Sequence, residues 1–426
     1  MIYSLLIIFI ILLILGIPIT IALGLSSVIS LVLFPSFSLI IVIQRMFVSV
    51  NSFPLLALPL FMLAGLLMGS GGISKRIVDF SYAVVGGLTG GLAHVTILAS
   101  MIFAGISGAA VADTVAIGNL LIPSMISKKY TPSLSASITA IASTIGIIIP
   151  PSIPMVILGS MLGISVGRLF IGGIIPGLII GLSLMITSYF IVKKRNLPTE
   201  QKKINIINLL KNLKQSIWSL LMPIIVIGGI VFGIFTPTEA GAMAVVYALI
   251  IGFFVYRELT LEYVFECIWK AALTSAKILI IIATAGLFSW LLVVNGLPEI
   301  VKNFLFSITE STTVMMFIMM FILIAVTTFM ESLASLVIFV PIFFPVTQQI
   351  GIDPIYFGVM MTIGIAVGLI TPPVGLCLYA AADIAGINMF EVFKDLKNYL
   401  LIEFVMVLLL ILFPQLVIYL PNLIMG

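Results

Sequence analysis

Apolar runs follow one another along the whole chain, separated by short joints of glycine, proline and charged residues. Each run is roughly 17 to 25 residues long, the length a helix needs to cross a bilayer core of about 30 Å. The alternating ten-residue segments of a transmembrane β-barrel do not occur. The pattern predicts an all-α polytopic membrane protein. In the first half the spans fall at 2–16, 17–34 and 54–70, with the amphipathic stretch "SLIIVIQRMFVSV" (Ser38 to Val50) before the third. In the second half they fall at 217–235, 238–256 and 276–294, with an amphipathic stretch over about 258–273. Ten or eleven crossings are expected altogether.

Two places break the pattern. "STIGIIIPPSIPM" (Ser143 to Met155) sets Pro150, Pro151 and Pro154 inside an apolar segment, and "VGLITPPVGLCL" (Val367 to Leu378) does the same with Pro372 and Pro373. A proline in a helix interior removes a donor and clashes with the preceding turn, costing about 3 kcal/mol. Each pair therefore predicts an interrupted helix. Ahead of each lies a segment too short and too polar for two spans: "FAGISGAAVADTVAIGNLLIP" (Phe103 to Pro123) and "TTFMESLASLVIFVPIFFP" (Thr327 to Pro345). Each suits a re-entrant helical hairpin whose tip turns back midway. Gly105 and Gly108 free the backbone at the first tip. Ser107, Asp113 and Thr114 bring oxygen there, and Thr328, Glu331, Ser332 and Ser335 bring it to the second.

A bare carbonyl or N–H in hydrocarbon costs several kcal/mol, so irregular backbone at that depth belongs inside protein or beside a water-filled cavity. Two tips and two breaks near mid-membrane would gather carbonyls, hydroxyls and helix N-termini. Such oxygens are hard ligands suited to a Na⁺-like cation. The half-helix N-termini opened by Pro150-Pro151-Ser152 and by Thr371-Pro372-Pro373 carry positive dipole ends suited to a carboxylate, with Ser152 or Thr371 as cap. An intramembrane carboxylate is costly, about 2.5–3.5 kcal/mol for Asp at a helix centre, which makes Asp113 and Glu331 candidates for function. The competing reading for both is a helix cap within the hairpin.

Matched features recur in the same order at an offset of about 217 to 224 residues. "GIPITIALG" (Gly16 to Gly24) answers "GIFTPTEAG" (Gly233 to Gly241), Pro123 answers Pro345, and Pro150-Pro151 answers Pro372-Pro373. An odd number of crossings per half makes the repeats inverted, a common architecture of secondary transporters. The first repeat is expected over 1–192, with scaffold helices to about 70 and the hairpin and broken helix over about 75–192. The second is expected over 217–426, divided into about 217–295 and 298–426. Between them "KKRNLPTEQKKINIINLLKNLK" (Lys193 to Lys214) carries seven Lys or Arg and one Glu. The positive-inside rule makes 193–216 a cytoplasmic linker.

Composition agrees with lipid as the solvent. Of 426 residues 62% are hydrophobic and 8% charged, with a mean hydropathy of +1.37, whereas a soluble surface needs about a quarter charged. The net charge of +4 reflects loop lysines and gives no nucleic-acid signal. No basic residue precedes the first apolar run, which reads as a retained helix and not as a cleaved signal. Cys267 and Cys377 stand far apart and outside any ligand-like cluster, against disulfides and structural zinc. His94 reads as packing in "GGLAHVT", Glu239 in "TPTEAG" as a helix cap, and Lys277 as a snorkelling lysine near a helix start. The chain has no HExxH, nucleophile elbow, cysteine–histidine pairing or P-loop, which argues against an enzyme and against ATP-driven transport by this chain alone.

Several stretches also carry a resemblance: "FPLLALPLFMLAG", "ISKRIVDF", "GGLAHVTILASMIFAGISGAAVADTVAIG", "IIPPSIPM", "GIFTPTEAGAMAVVYAL", "GIDPIYFGVM" and "GLITPPVGL". Nearly end to end, the chain resembles the large membrane subunit of tripartite ATP-independent periplasmic (TRAP) transporters. The resemblance implies an elevator mechanism in the bacterial inner membrane, sodium coupling, a small four-helix membrane partner, and a periplasmic binding protein that delivers a small organic acid such as sialic acid or a C4-dicarboxylate. It implies one Na⁺ site at Gly105 and Ser107 with Ser143, Thr144 and Gly146, and a second at Thr328 and Glu331 with Thr371 and Gly375. Glu331 stands where family members often have Asp, and Ala109 where a serine is frequent. A stand-alone sodium/dicarboxylate symporter of similar hairpin architecture is the alternative reading.

Overall fold

A computed structural model describes residues 1–35, 37–197 and 206–426, and among them every regular element is a helix. Six of these helices are long and apolar enough to cross a bilayer, or up to eight if each of two bent pairs is a single span. Ten or eleven crossings were expected. The difference lies in apolar helices of 10–17 residues, including Ile2–Ile14, Ile19–Leu33, the first arm of each hairpin and the halves of the broken helices.

One group of helices flanks the rest. Leu261–Val294 packs against Ile19–Leu33, Ile40–Val50 and Ala57–Ser70, and Pro237–Ile250 packs against Ala57–Ser70. Arg45 lies over the Trp290 ring at 4.5 Å, tying the amphipathic helix Ile40–Val50 to the end of Leu261–Val294. The stretch at 258–273 and the span at 276–294, expected as separate elements, form one continuous helix of 34 residues. No proline interrupts it, and its one glycine, Gly286, comes late. The corresponding turn in the first half contains Asn51, Ser52 and Pro54, and the chain there bends by 64°. Lys277 consequently lies mid-helix and exposed, not near a helix start.

Local caps set the helix starts. Thr236 and Glu239 form a capping box, with Glu239 N donating to Thr236 Oγ1 at 3.3 Å and Thr236 N to Glu239 Oε2 at 2.8 Å, and Pro237 opens the helix. Glu239 is the cap expected of it. Asp353 Oδ1 accepts from Ile355 N and Tyr356 N at 2.8 and 3.0 Å ahead of Pro354–Gly368. Helix Ile206–Val231 begins within the expected 193–216 linker, so part of that linker is helical; residues 198–205 lie outside the described residues.

The hairpins and breaks form the inner group. Gly91–Ser107 turns through Gly108, at φ +63°, and Ala109 into Ala110–Ser127. Thr312–Thr327 turns through residues 328–331 into Ser332–Gln349. Pro132–Thr144 ends in a short 3₁₀ turn, and after the break Ile153–Leu162 resumes. Pro354–Gly368 breaks likewise before Leu376–Ala385. Both proline pairs contain a cis peptide bond. The resumed halves cross over: Leu376–Ala385 packs on Ala110–Ser127 and Pro132–Thr144, while Ile153–Leu162 packs on Ser332–Gln349 and Pro354–Gly368.

Candidate functional site

Each hairpin tip is bonded to the break that follows it. Ile153 N donates to the Gly108 carbonyl at 3.2 Å, and Val374 N donates to the Thr328 carbonyl at 3.2 Å. Backbone groups freed by one interruption are thus satisfied by the other, as buried amides require. Glycine is needed at 108: a Cβ there would stand 2.7 Å from the Pro151 carbonyl oxygen.

At the first tip, Ser107 Oγ donates to Asp113 Oδ1 and accepts from Ala109 N at 3.2 Å. Asp113 is fully buried, and its Oδ2 has no hydrogen-bond partner but lies against Gly146, where a Cβ would approach it to 2.0 Å. The structure so brings Ser107, Asp113 and Gly146 together. Gly105 has the Pro223 ring 2.9 Å from the position of an ideal Cβ, with the Pro150 carbonyl of the first break at 3.8 Å. Ser143 Oγ donates to Thr139 O at 2.7 Å, leaving its lone pairs unengaged. Thr144 Oγ1 contacts both Ile141 O at 2.7 Å and Glu403 Oε1 at 3.0 Å. Thr114 donates to Ala110 O at 3.0 Å, and its helix packs on Leu376–Ala385, tying the first hairpin to the second broken helix.

At the second tip, Glu331 is the N-cap of Ser332–Gln349: its Oε2 accepts from Ala334 N at 2.9 Å and its Oε1 from Ser332 Oγ at 3.4 Å. Thr328 Oγ1 donates to Ala325 O at 2.7 Å. Ser152 is the N-cap of Ile153–Leu162, as expected, accepting from Met155 N at 3.4 Å. Thr371 is not the cap of the second resumed half. Its Oγ1 donates back to Val367 O at 2.7 Å, finishing the first half, and Gly375, at φ +46°, holds the cap position. The break is longer than the expectation allowed, so Pro150-Pro151 and Pro372-Pro373 lie inside the irregular segments, and it is Pro154 that stands in the first turn of a resumed helix.

A cavity of about 590 Å³ lies where the inner group meets the flanking helices. Both tips line it through Ser107, Gly108, Glu331 and Ser332, and both breaks through Ile147, Ile153, Leu369 and Leu376. Its other wall is Met62 to Gly69 and Lys270, Thr274 and Ile278 of Leu261–Val294. The four interruptions meet around one cavity. Of the residues assigned to substrate from sequence, Ser107 is on its wall; Pro150, Pro151, Ser152, Thr371, Pro372 and Pro373 are not among the lining residues. Lys270, which was not singled out from the sequence, is on the wall, paired with Glu266 at 2.6 Å. Glu403 was also missed, although a lone carboxylate in "LLIEFVMVLLL" is the same signal that singled out Asp113. Among the described residues no three His, Cys, Asp or Glu side chains gather as metal ligands.

Lipid-length apolar helices around an apolar cavity, walled by two hairpin tips and two interrupted helices, define a multi-pass membrane protein with an internal site. The family model of the tripartite ATP-independent periplasmic transporter, DctM component, matches residues 6–416. The chain belongs to this family, as a multi-pass protein of the bacterial inner membrane, and is not an enzyme. It is 38% identical to the sialic acid TRAP transporter large permease protein SiaM of Vibrio cholerae over 96% of each chain. It is 35% identical to the C4-dicarboxylate TRAP transporter large permease protein DctM of Pseudomonas aeruginosa over 94% of each. It is also 39% identical to the isethionate TRAP transporter permease protein DctMQ of Oleidesulfovibrio alaskensis, matching 90% of this chain but only 60% of that longer relative.

Proposed function

We propose that this chain is the large permease subunit of a sodium-driven importer of a small organic acid, delivered by a periplasmic binding protein and moved with the help of a small four-helix membrane subunit. The observation that carries the reading is the single cavity walled by both hairpin tips and both breaks. On this reading Ser107, Ser143, Thr144 and Gly146, with Gly105 behind the tip, serve one Na⁺, and Thr328, Glu331, Thr371 and Gly375 serve a second. Asp113 supplies negative charge beside the first, and Thr114 and Ser332 support the two tips. Ser107 and the N-terminus capped by Ser152 face the acid's carboxylate, and the prolines hold the breaks open behind them. Acids named for the relatives, sialic acid and C4-dicarboxylates, are the substrate class to try first.

The recurring order of helix pair, amphipathic helix, hairpin and broken helix supports two inverted repeats joined by the basic linker. The division into a flanking and an inner group supports an elevator, with the inner group carrying the acid past a scaffold. The driving term is the ion gradient: each net charge moved inward is worth about 2.3 kcal/mol per 100 mV. Two Na⁺ with a monoanion move one net charge. The test is uptake of labelled sialic acid and succinate into proteoliposomes holding the permease subunits, with the binding protein outside. Uptake is expected to need a sodium gradient, the binding protein and an inside-negative potential. Flux indifferent to sodium and potential sinks the coupling, and full flux without the binding protein sinks the tripartite reading.

A further inference from the structure

The most costly group that the reading above leaves without a task is Glu403. It sits in Met389–Leu412, is 0% exposed, and its Oε2 has no hydrogen-bond partner. Its neighbours show how deep it lies. Met389–Leu412 runs beside Pro132–Thr144 and is stitched to it by Ser133 Oγ donating to Glu391 O at 2.7 Å and Ser137 Oγ to Val392 O at 2.9 Å. Thr144 Oγ1 on Glu403 Oε1, at 3.0 Å, is the last rung. Pro132–Thr144 has 13 residues, so this rung stands about 18 Å along the helix from its start, at the end where the first break opens. An intramembrane carboxylate is a functional hypothesis by default. A structural rung needs only a neutral acceptor: the other two end on the backbone carbonyls of Glu391 and Val392, and only this one ends on a carboxylate.

The hydroxyl it touches belongs to the first break. Thr144 Oγ1 has one proton and two acceptors within reach, Ile141 O at 2.7 Å and Glu403 Oε1 at 3.0 Å. Given to Ile141, the proton blocks that carbonyl. Given to Glu403, it leaves the Ile141 carbonyl and the Thr144 oxygen both open at the end of the half-helix, where the dipole already favours positive charge. We propose that Glu403 is a positioning residue for cation binding at the first break: it draws the Thr144 proton away from the helix end and supplies the negative charge that a bound Na⁺ offsets. This rests on the sodium-coupled reading above.

The test needs no substrate. Melting of the purified full-length chain is followed while NaCl replaces choline chloride at constant ionic strength, and the sodium midpoint is read. The wild type is expected to be stabilised with a saturating midpoint. E403Q, which keeps the shape and loses the charge, is expected to raise that midpoint about tenfold or more, since a carboxylate one ligand removed from a cation contributes at least that much. In a T144V background E403Q is expected to shift the midpoint less than it does alone, because the part that passes through the hydroxyl is already lost and only the direct charge term remains. If the wild type shows no sodium-specific stabilisation, the sodium reading itself fails and takes this inference with it. If the wild type responds and E403Q melts lower with an unmoved midpoint, sodium binding stands and Glu403 is only structural, which overturns the proposal. Should E403Q fail to fold, E403D, with its charge drawn back by one methylene, must shift the midpoint; an unchanged value overturns it equally.

Discussion

Gly108→Ala tests whether the first tip and the first break act as one unit. Two costs arise. The residue has φ +63°, where an L side chain is disfavoured by about 1–2 kcal/mol. The new Cβ would also lie 2.7 Å from the Pro151 carbonyl oxygen and 3.3 Å from Ile153 N. Both neighbours are backbone, so neither can rotate away, and overpacking of this kind costs about 1–3 kcal/mol. Relief requires separating tip and break, which stretches the 3.2 Å bond from Ile153 N to Gly108 O and forfeits about 0.5–1.5 kcal/mol more. The sum is about 2.5–6.5 kcal/mol.

Gly163→Ala is the control. Gly163 has φ +66° but nothing within 4 Å of an added Cβ, so only the backbone cost of about 1–2 kcal/mol applies. Thermal unfolding in detergent, followed by loss of the monodisperse peak in size-exclusion chromatography, should place Gly108→Ala well below Gly163→Ala, and uptake should fall strongly in the first alone. Equal melting of the two variants, with transport intact in Gly108→Ala, would refute the reasoning, since the tip–break contact would then contribute nothing.

Three further outcomes follow from the contacts. Glu331→Ala removes an N-cap and should cost about 1 kcal/mol in thermal unfolding, while Glu331→Gln, which retains a side-chain acceptor, should cost less. Gly146→Ala drives a Cβ to 2.0 Å from Asp113 Oδ2 and should displace that carboxylate from Ser107; reduced uptake with near-normal folding by circular dichroism is the expected result, and unchanged uptake would show that the Ser107–Asp113 contact is dispensable. Arg195→Ala leaves Asp395, only 10% exposed, without its guanidinium and should destabilise by about 1–3 kcal/mol; adding Asp395→Asn should recover part of this in a double-mutant cycle.

What was legible in the sequence is what local chemistry dictates. The Pro150-Pro151 and Pro372-Pro373 pairs mark the breaks because proline cannot continue a helix, and the Gly108 tip follows from backbone freedom. Glu239 in "TPTEAG" reads as a helix cap, because a carboxylate at a helix start can take up free N–H groups. Errors came where neighbours compete. Thr371 was given to the resumed helix, but its hydroxyl reaches back one turn to Val367, a choice made by the course of the break. The fusion of 258–273 with 276–294 was missed because amphipathic and apolar stretches look like two elements even when no residue between them ends a helix. Glu403 meets Thr144 across 259 residues, and no periodicity reports such a pair.

The crossover of the resumed halves bears on how such a chain could move. Ile153–Leu162 packs on the second hairpin's Ser332–Gln349, and Leu376–Ala385 packs on the first hairpin's Ala110–Ser127. Shifting one break relative to the other hairpin would tear buried apolar packing on both sides, as well as the bonds from Ile153 to Gly108 and from Val374 to Thr328. The inner group is therefore stiff within itself. Its first tip meets the flanking helix Ala57–Ser70 differently, through a close approach of small residues: Gly65 faces the Ser107 backbone, at 3.3 Å from an ideal Cβ. Smooth backbone surfaces interlock less than long side chains do, and the cavity lies along this same boundary. On the elevator reading proposed above, this is the plane of sliding. Substitutions inside the inner group should then change stability first, whereas Gly65→Ala, whose Cβ requires the two helices to part by a few tenths of an ångström at the Ser107 backbone, should change transport rate more than melting temperature. The reverse pattern would move the sliding plane elsewhere in the fold.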